Sequence, residues 1–320
     1  MNPACAPLSS VDGPLIEEQR PAQGPAPATF QVAHKFSLAS DLSELTKSRL
    51  TVMVMLTTLT GYCLASRGVF DWARLGHTLL GTALVAICSS ILNQALERDT
   101  DSLMRRTQGR PFVTRRLPLK ETIIAGIVLG ALGLAELLWF VDGLTTLLCA
   151  VTLVTYVLIY TPLKRISEIN TLIGAIPGAL PPLIGATAAR GPFGVEGWTL
   201  FAILACWQMP HFYAIAWMYK DDYRDGGLRM VSTNDPTGAR TGIHAVVSAL
   251  LLLPVSLLPA WIGHSGLFYV VTAGCLSLVF IAAAIRFARL PDLSHARVLF
   301  LVSIIYLPLI LIALAVDKAL

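Results

Sequence analysis

Nine apolar runs, each long enough to cross a bilayer as a helix, follow one another between residues 50 and 316 of this 320-residue chain. They fall near 50–66, 75–96, 121–141, 143–160, 169–189, 197–218, 243–262, 266–285 and 298–316. Only 14% of the residues are charged and 55% are hydrophobic, where a soluble domain carries roughly a quarter charged. The expected fold is therefore an all-α membrane protein, a bundle of nine transmembrane helices over residues 41–320, with no room for a soluble domain. The narrowest division lies between the third and fourth runs, where only Asp142 and Gly143 interrupt the apolar sequence. A helical hairpin there fits better than one helix of about forty residues. Residues 1–40 are rich in Pro, Ala, Gly, Ser and Gln without apolar period, and are expected to form a disordered tail. That tail lacks the apolar stretch of a secretory signal. Asp12, Glu17 and Glu18 argue against a mitochondrial transit peptide.

Lys and Arg set the orientation. With the N-terminus in the cytoplasm, twenty of them fall in cytoplasmic segments and four (Arg67, Arg74, Arg190, Lys318) outside. The expected topology is N-in and C-out in the cell (inner or plasma) membrane. The six cysteines are scattered and form no CxxC or Cys/His cluster, so neither a disulfide framework nor a zinc site is expected. The fifth run carries Pro177, Pro181 and Pro182 among glycines and reads as a kinked, closely packed helix.

The charges that are hardest to explain as anchors lie in NQALERDTDSLMRRTQGRP, residues 93–111. Asn93, Glu97 and Asp101 stand four apart and share one face of a helix, with about 40° of drift per step. Asp99 faces away. Around them are Arg98, Arg105, Arg106 and Arg110. Mg²⁺ takes hard oxygen ligands and shares one or two carboxylates with substrate phosphates, while arginine forks bind phosphate oxygens in pairs. Acids beside arginines at the end of a span thus suit a Mg²⁺–diphosphate. Arg115 and Arg116 read as plain positive-inside anchors.

A second cluster, WQMPHFYAIAWMYKDDYRDGG (residues 207–227), repeats the placement of span end, acids and basic loop. It offers Asp221, Asp222 and Asp225. Between the two, YTPLKR supplies Lys164 at another cytoplasmic span end, as a phosphate contact or an anchor. His211 follows Pro210 inside an apolar run, and two readings stay open: a substrate contact, or a bond to a carbonyl that Pro210 frees.

These stretches, with NTLIGAIPGALPPLIGA, resemble the haem O synthases, a branch of the UbiA superfamily of intramembrane prenyltransferases. The resemblance runs from about residue 42 to the C-terminus. Asn93, Glu97 and Asp101 match the superfamily's NxxxDxxxD pattern with Glu in place of the first Asp. The WQMPHF stretch points to haem as acceptor. The chain departs at TKSR, where Ser48 stands for the usual proline and alters only the helix start. It also departs in the second motif, whose frame fits Asp221 and Asp225 as DxxxD or Asp222 as the KDY-like position.

The resemblance implies transfer of the farnesyl group of farnesyl diphosphate to a vinyl group of haem B (protohaem IX), with Mg²⁺ as cofactor and diphosphate released. It implies Glu97, Asp101, Asp221, Asp222 and Asp225 as metal ligands, with Asn93 beside them. Substrate contacts are expected from Arg98, Arg106, Arg110, Lys164, His211 and Tyr213, with Phe212, Trp217 and Tyr156 as further aromatic faces for an allylic cation. A haem A synthase is the implied downstream partner, the lipid bilayer the surroundings, and no nucleic acid is involved. Two other readings share features with this one. A related enzyme prenylating an aromatic quinone precursor would keep the Mg²⁺ site and change the acceptor pocket. A secondary transporter would use the broken helices, but the charges gather at one membrane face and not at the midplane.

Overall fold

The computed structural model describes residues 37–191 and 194–319. A short helix α1 (Leu38–Leu45) precedes nine long ones: α2 (Ser48–Ala65), α3 (Trp72–Leu103), α4 (Leu119–Phe140), α5 (Gly143–Leu163), α6 (Asn170–Arg190), α7 (Val195–Met218), α9 (Ala239–Trp261), α10 (Leu267–Arg289) and α11 (Leu293–Ala319). Between α7 and α9 lies the short helix α8 (Lys220–Asp225). All nine long helices have the length and hydropathy to span a membrane, and the described residues contain no strand. The expected tail lies outside the described residues except for residues 37–40. These do not continue it, because Ser37 caps α1 by accepting from the Ser40 N–H at 3.2 Å.

Asp142 makes the hairpin between α4 and α5. Its Oδ1 accepts from the Thr145 N–H at 2.8 Å, capping α5, and its Oδ2 accepts from Arg74 at 2.9 Å. One acid thus starts a helix and ties it to α3.

Helices in lipid approach through small residues. On α4, Gly126, Gly130 and Gly133 lie against Ile91, Cys88 and Gly81 of α3. α2 and α6 come closer still: a Cβ on Gly61 would overlap the Pro182 carbonyl, and one on Gly185 the Thr58 carbonyl. The proline-broken α6 is the most enclosed of the spans, in keeping with the packed helix that its sequence suggests. Most outward residues are apolar, as a lipid-facing surface requires. Trp72, Trp139, Trp198 and Trp261 stand exposed at span ends that all belong to one end of the bundle, the interfacial position that tryptophan favours. The motif residues occupy the other end.

Candidate active site

α3 continues seven residues past the apolar run of its sequence, and this extension carries Glu97 and Asp101. Together with Asn93 they line one buried face, at 0% (Asn93), 8% (Glu97) and 1% (Asp101) exposure. Carboxylates so enclosed must find cations, and three separate segments bring them. Lys164, just beyond α5, donates to Glu97 Oε1 at 2.6 Å. Arg110, in the turns after α3, pairs with Asp101 Oδ2 at 2.5 Å and lies 3.9 Å from Glu97 Oε2. Lys47, between α1 and α2, donates to Asn93 Oδ1 at 2.6 Å and to the Tyr156 hydroxyl at 3.2 Å. Asn93 Nδ2 in turn donates to Thr161 Oγ1 at 2.9 Å.

By position Lys47 is one of the twenty cytoplasmic Lys and Arg residues, just before a span, and its sequence context alone gives it no further role. It occupies the left-handed region, φ 46° and ψ 51°, at a cost of about 1–2 kcal/mol for a residue with a Cβ. Such conformations persist where the surroundings fix them. Burial lowers the Lys47 pKa to about 7, and Arg110 and Lys164 nearby add to this against the pull of Glu97 and Asp101. Burial also opposes charge on Lys164. There Tyr160 and Glu97 more than offset it, and the pKa stands above the ordinary lysine value.

The last turns of α5 are not regular. Residues Thr155–Tyr160 form a π-helical turn, a widening often found at functional sites. It sets Tyr156 and Tyr160 side by side, ring centroids 5.6 Å apart, under Lys47 (5.8 Å) and Lys164 (4.5 Å). Of the aromatic faces expected for an allylic cation, Tyr156 is therefore at the cluster. Tyr213 is not: it is buried against His244 of α9 at 5.4 Å. Trp217 packs on Phe287 of α10.

Among the described residues, Asp101 Oδ1 is buried with no hydrogen-bond partner. An oxygen left free beside the Glu97 carboxylate and the Asn93 carboxamide is a donor set that suits a hard divalent ion. Among the described residues, no group of three or more His, Cys, Asp or Glu side chains is placed to hold a metal by itself. The residues therefore fit an ion shared with a diphosphate, not a closed protein cage.

The second cluster docks on the first without merging its acids with it. Gly226 lies against Met104 and Thr100 at the end of α3, and Arg106 sits 5.2 Å over the Tyr219 ring. Asp221 is exposed and pairs with Arg224 at 3.0 Å, Asp222 is half-buried, and Asp225 is exposed. Arg98 is half-buried on another face of α3 and makes no side-chain hydrogen bond or ion pair among the described residues.

His211 bonds across to α11: its Nδ1 lies 2.7 Å from Ser303 Oγ. The partner is a hydroxyl on another helix, not a carbonyl freed by Pro210. The imidazole stacks between Trp207 (5.2 Å) and Phe300 (5.1 Å), and its Nε2 has no hydrogen bond among the described residues. A cavity of about 210 Å³, lined by Leu64, Arg67, Glu196, His264 and Lys318 among others, sits at the opposite end and holds none of the motif residues.

A sequence model described as the UbiA prenyltransferase family matches residues 54–307. The chain is 41% identical over 287 residues to a protoheme IX farnesyltransferase of Solibacter usitatus, covering 87% of this chain and 98% of that one. It is 39% identical over 293 residues to the protoheme IX farnesyltransferase of Koribacter versatilis, covering 88% and 94%. Among solved structures, a digeranylgeranylglyceryl phosphate synthase superposes with a TM-score of 0.75 at 17% identity, over 88% of this chain and 99% of that one. A UbiA homolog of Archaeoglobus fulgidus bound to DMAPP and Mg²⁺ does so at 0.60 and 15%, over 87% and 100%. The structural likenesses establish a shared helical fold.

Proposed function

The chain belongs to the UbiA prenyltransferase family, and from that premise we propose that it transfers the farnesyl group of farnesyl diphosphate to a vinyl group of haem B, forming haem O and releasing diphosphate. One observation carries the donor half. A buried Asn–Glu–Asp face is ringed by Lys47, Lys164 and Arg110 from three segments, with one carboxylate oxygen left over. The acceptor half is supported by the relatives named protoheme IX farnesyltransferase, which align over nearly their full length.

Glu97 and Asp101 would hold Mg²⁺ together with the diphosphate, while Asp221, Asp222 and Asp225 of the adjoining segment stand apart from them and would reach the ion only with the diphosphate between. Bound there, the ion supplies positive charge to the leaving group as its bond to carbon breaks. Lys164 and Arg110 neutralise the carboxylates in the free protein and turn to the phosphate oxygens when substrate arrives, Arg110 as a fork and Lys164 as a point charge. Lys47, steered by Asn93, adds a third positive group. Arg98 and Arg106 stand at the edge of this region, Arg106 on the Tyr219 ring. The faces of Tyr156 and Tyr160 attract the allylic cation that diphosphate departure leaves. The terminal vinyl carbon of haem then bonds to the farnesyl carbon. Water captures the cation formed next to the porphyrin and loses a proton, giving the hydroxyethylfarnesyl side chain.

His211, its ring faces stacked on Trp207 and Phe300, offers Nε2 and not a ring face to the haem. Tyr213 serves packing against α9. The excess of Lys and Arg at the motif end favours its lying in the cytoplasm, with the protein in the inner membrane and a haem A synthase taking the product.

Acceptor competition tests the reading. Membranes holding the protein are given farnesyl diphosphate, Mg²⁺, haem B and 4-hydroxybenzoate together, and products are weighed by mass spectrometry. Haem O is expected; prenylated 4-hydroxybenzoate in its place overturns the assignment of haem.

A further inference from the structure

We propose that α1 is a strut that presets Lys47 for the diphosphate, with Gln94 and Asp41 as positioning residues. The inference rests on the prenyl diphosphate reading above. Gln94 follows Asn93 on α3 and is 1% exposed. Its Nε2 donates to the carbonyls of Glu44 (3.1 Å) and Leu45 (2.7 Å), the last of α1, and the Glu44 carbonyl also accepts from the Lys47 N–H at 3.1 Å. Asp41, a buried acid of α1, accepts from Arg116 Nε with both oxygens at 2.9 and 3.0 Å. Arg116 in turn donates to the Gly109 carbonyl at 2.9 Å, the residue before Arg110. Two residues beyond Leu45 the chain reverses through left-handed Lys47, and a Ser43–Ser48 hydroxyl contact of 2.7 Å closes the turn.

α1 is thus fastened at one side next to Asn93 and at the other next to Arg110, the groups that flank the carboxylates. A helix lying passively in the membrane interface has no need of a buried acid or of a glutamine spanning its last carbonyls. The bonds hold a turn whose product is the direction of one ammonium. With the turn fixed before substrate arrives, little ordering is left for binding to accomplish.

A double-mutant cycle tests the strut in detergent-purified protein. Gln94→Ala is expected to raise KM for farnesyl diphosphate about tenfold, with KM for haem B nearly unchanged and the melting midpoint lowered by the loss of its two buried hydrogen bonds. Combined with Lys47→Ala it should add nothing to the Lys47→Ala defect, because both changes remove the same contact. Asp41→Asn, close in size, should act in the same direction by about threefold and covers the case in which Gln94→Ala does not fold. Multiplying defects, or equal losses for both substrates, would overturn the strut. If the wild-type protein transfers no prenyl group, the donor reading fails. The strut is then judged by binding of inorganic diphosphate with Mg²⁺ to the same variants.

Discussion

Lys164 and Glu97 meet at 2.6 Å across 67 positions of sequence, and the pair joins the end of α5 to the extended end of α3. Both side chains are nearly enclosed, at 13% and 10% exposure, so each is the other's main counter-charge in the free protein. Replacing Lys164 with Met removes a cation aimed at the leaving group and leaves Glu97 with only the more distant Arg110, at 3.9 Å. kcat/KM for farnesyl diphosphate should fall by about 10²–10³, the range seen when one preorganised charge-stabilising donor is lost. A steady-state assay of diphosphate release checks this, and a loss below threefold would remove Lys164 from the site.

Lys47 gives the reaction a pH dependence on the donor side. Its pKa of about 7 in the folded protein means that it loses charge as pH rises through neutrality, and diphosphate binding must then draw a proton back. KM for farnesyl diphosphate should rise between pH 6.5 and 8.5. Lys47→Arg, whose guanidinium stays charged, should flatten that rise. The same shift acts on stability. Between pH 7 and the ordinary lysine value of 10.5 the unfolded chain holds the proton and the folded one does not, so this group's contribution to stability increases with pH over that window. Melting midpoints of wild type and Lys47→Met at pH 6.5 and 9 should therefore converge towards the higher pH.

No described group of acids holds a metal alone, so Mg²⁺ and diphosphate should bind as a unit. Calorimetry should detect Mg²⁺ binding in the presence of inorganic diphosphate and none without it. EDTA should stop turnover, and added Mg²⁺ should restore it. Full activity after chelation would contradict the donor set.

The α2–α6 crossing leaves no space for a methyl group. Gly185→Ala would drive Cβ into the Thr58 carbonyl, which is backbone and cannot step aside. A loss of about 1–3 kcal/mol or more is expected from such overpacking, read as a lowered melting midpoint in detergent. Gly143→Ala, with nothing within 4 Å of the added Cβ, is the matched control and should be nearly neutral.

His211→Phe keeps the stack on Trp207 and Phe300 and removes both ring nitrogens. KM for haem B should rise severalfold while KM for farnesyl diphosphate stays put. Equal changes in both would assign His211 to helix packing alone.

Much of this was legible in the residues. The nine spans follow from hydropathy, and the one doubtful boundary resolves at Asp142, an acid that can only sit at a helix end. The shared face of Asn93, Glu97 and Asp101 follows from the period of the helix. The apolar run ends near residue 96, however, and hydropathy could not show that α3 continues to Leu103. That extension depends on Lys164 and Arg110 arriving from elsewhere to neutralise its acids. Lys47 was hidden for the same reason: a lysine before a span is an anchor by composition, and only the fold brings it 46 positions forward to Asn93. The TK pair in TKSR was the available signal. The π turn that sets Tyr156 beside Tyr160 has no sequence signature. The acids of the second cluster looked equivalent to the first because burial is not written in spacing.

The most direct test counts products. Purified protein supplied only with haem B, farnesyl diphosphate and Mg²⁺ should form one haem O for each diphosphate released, and Asp101→Asn should abolish both together. Diphosphate released without haem O, or release that does not depend on haem B, would contradict the assignment of donor and acceptor to one site.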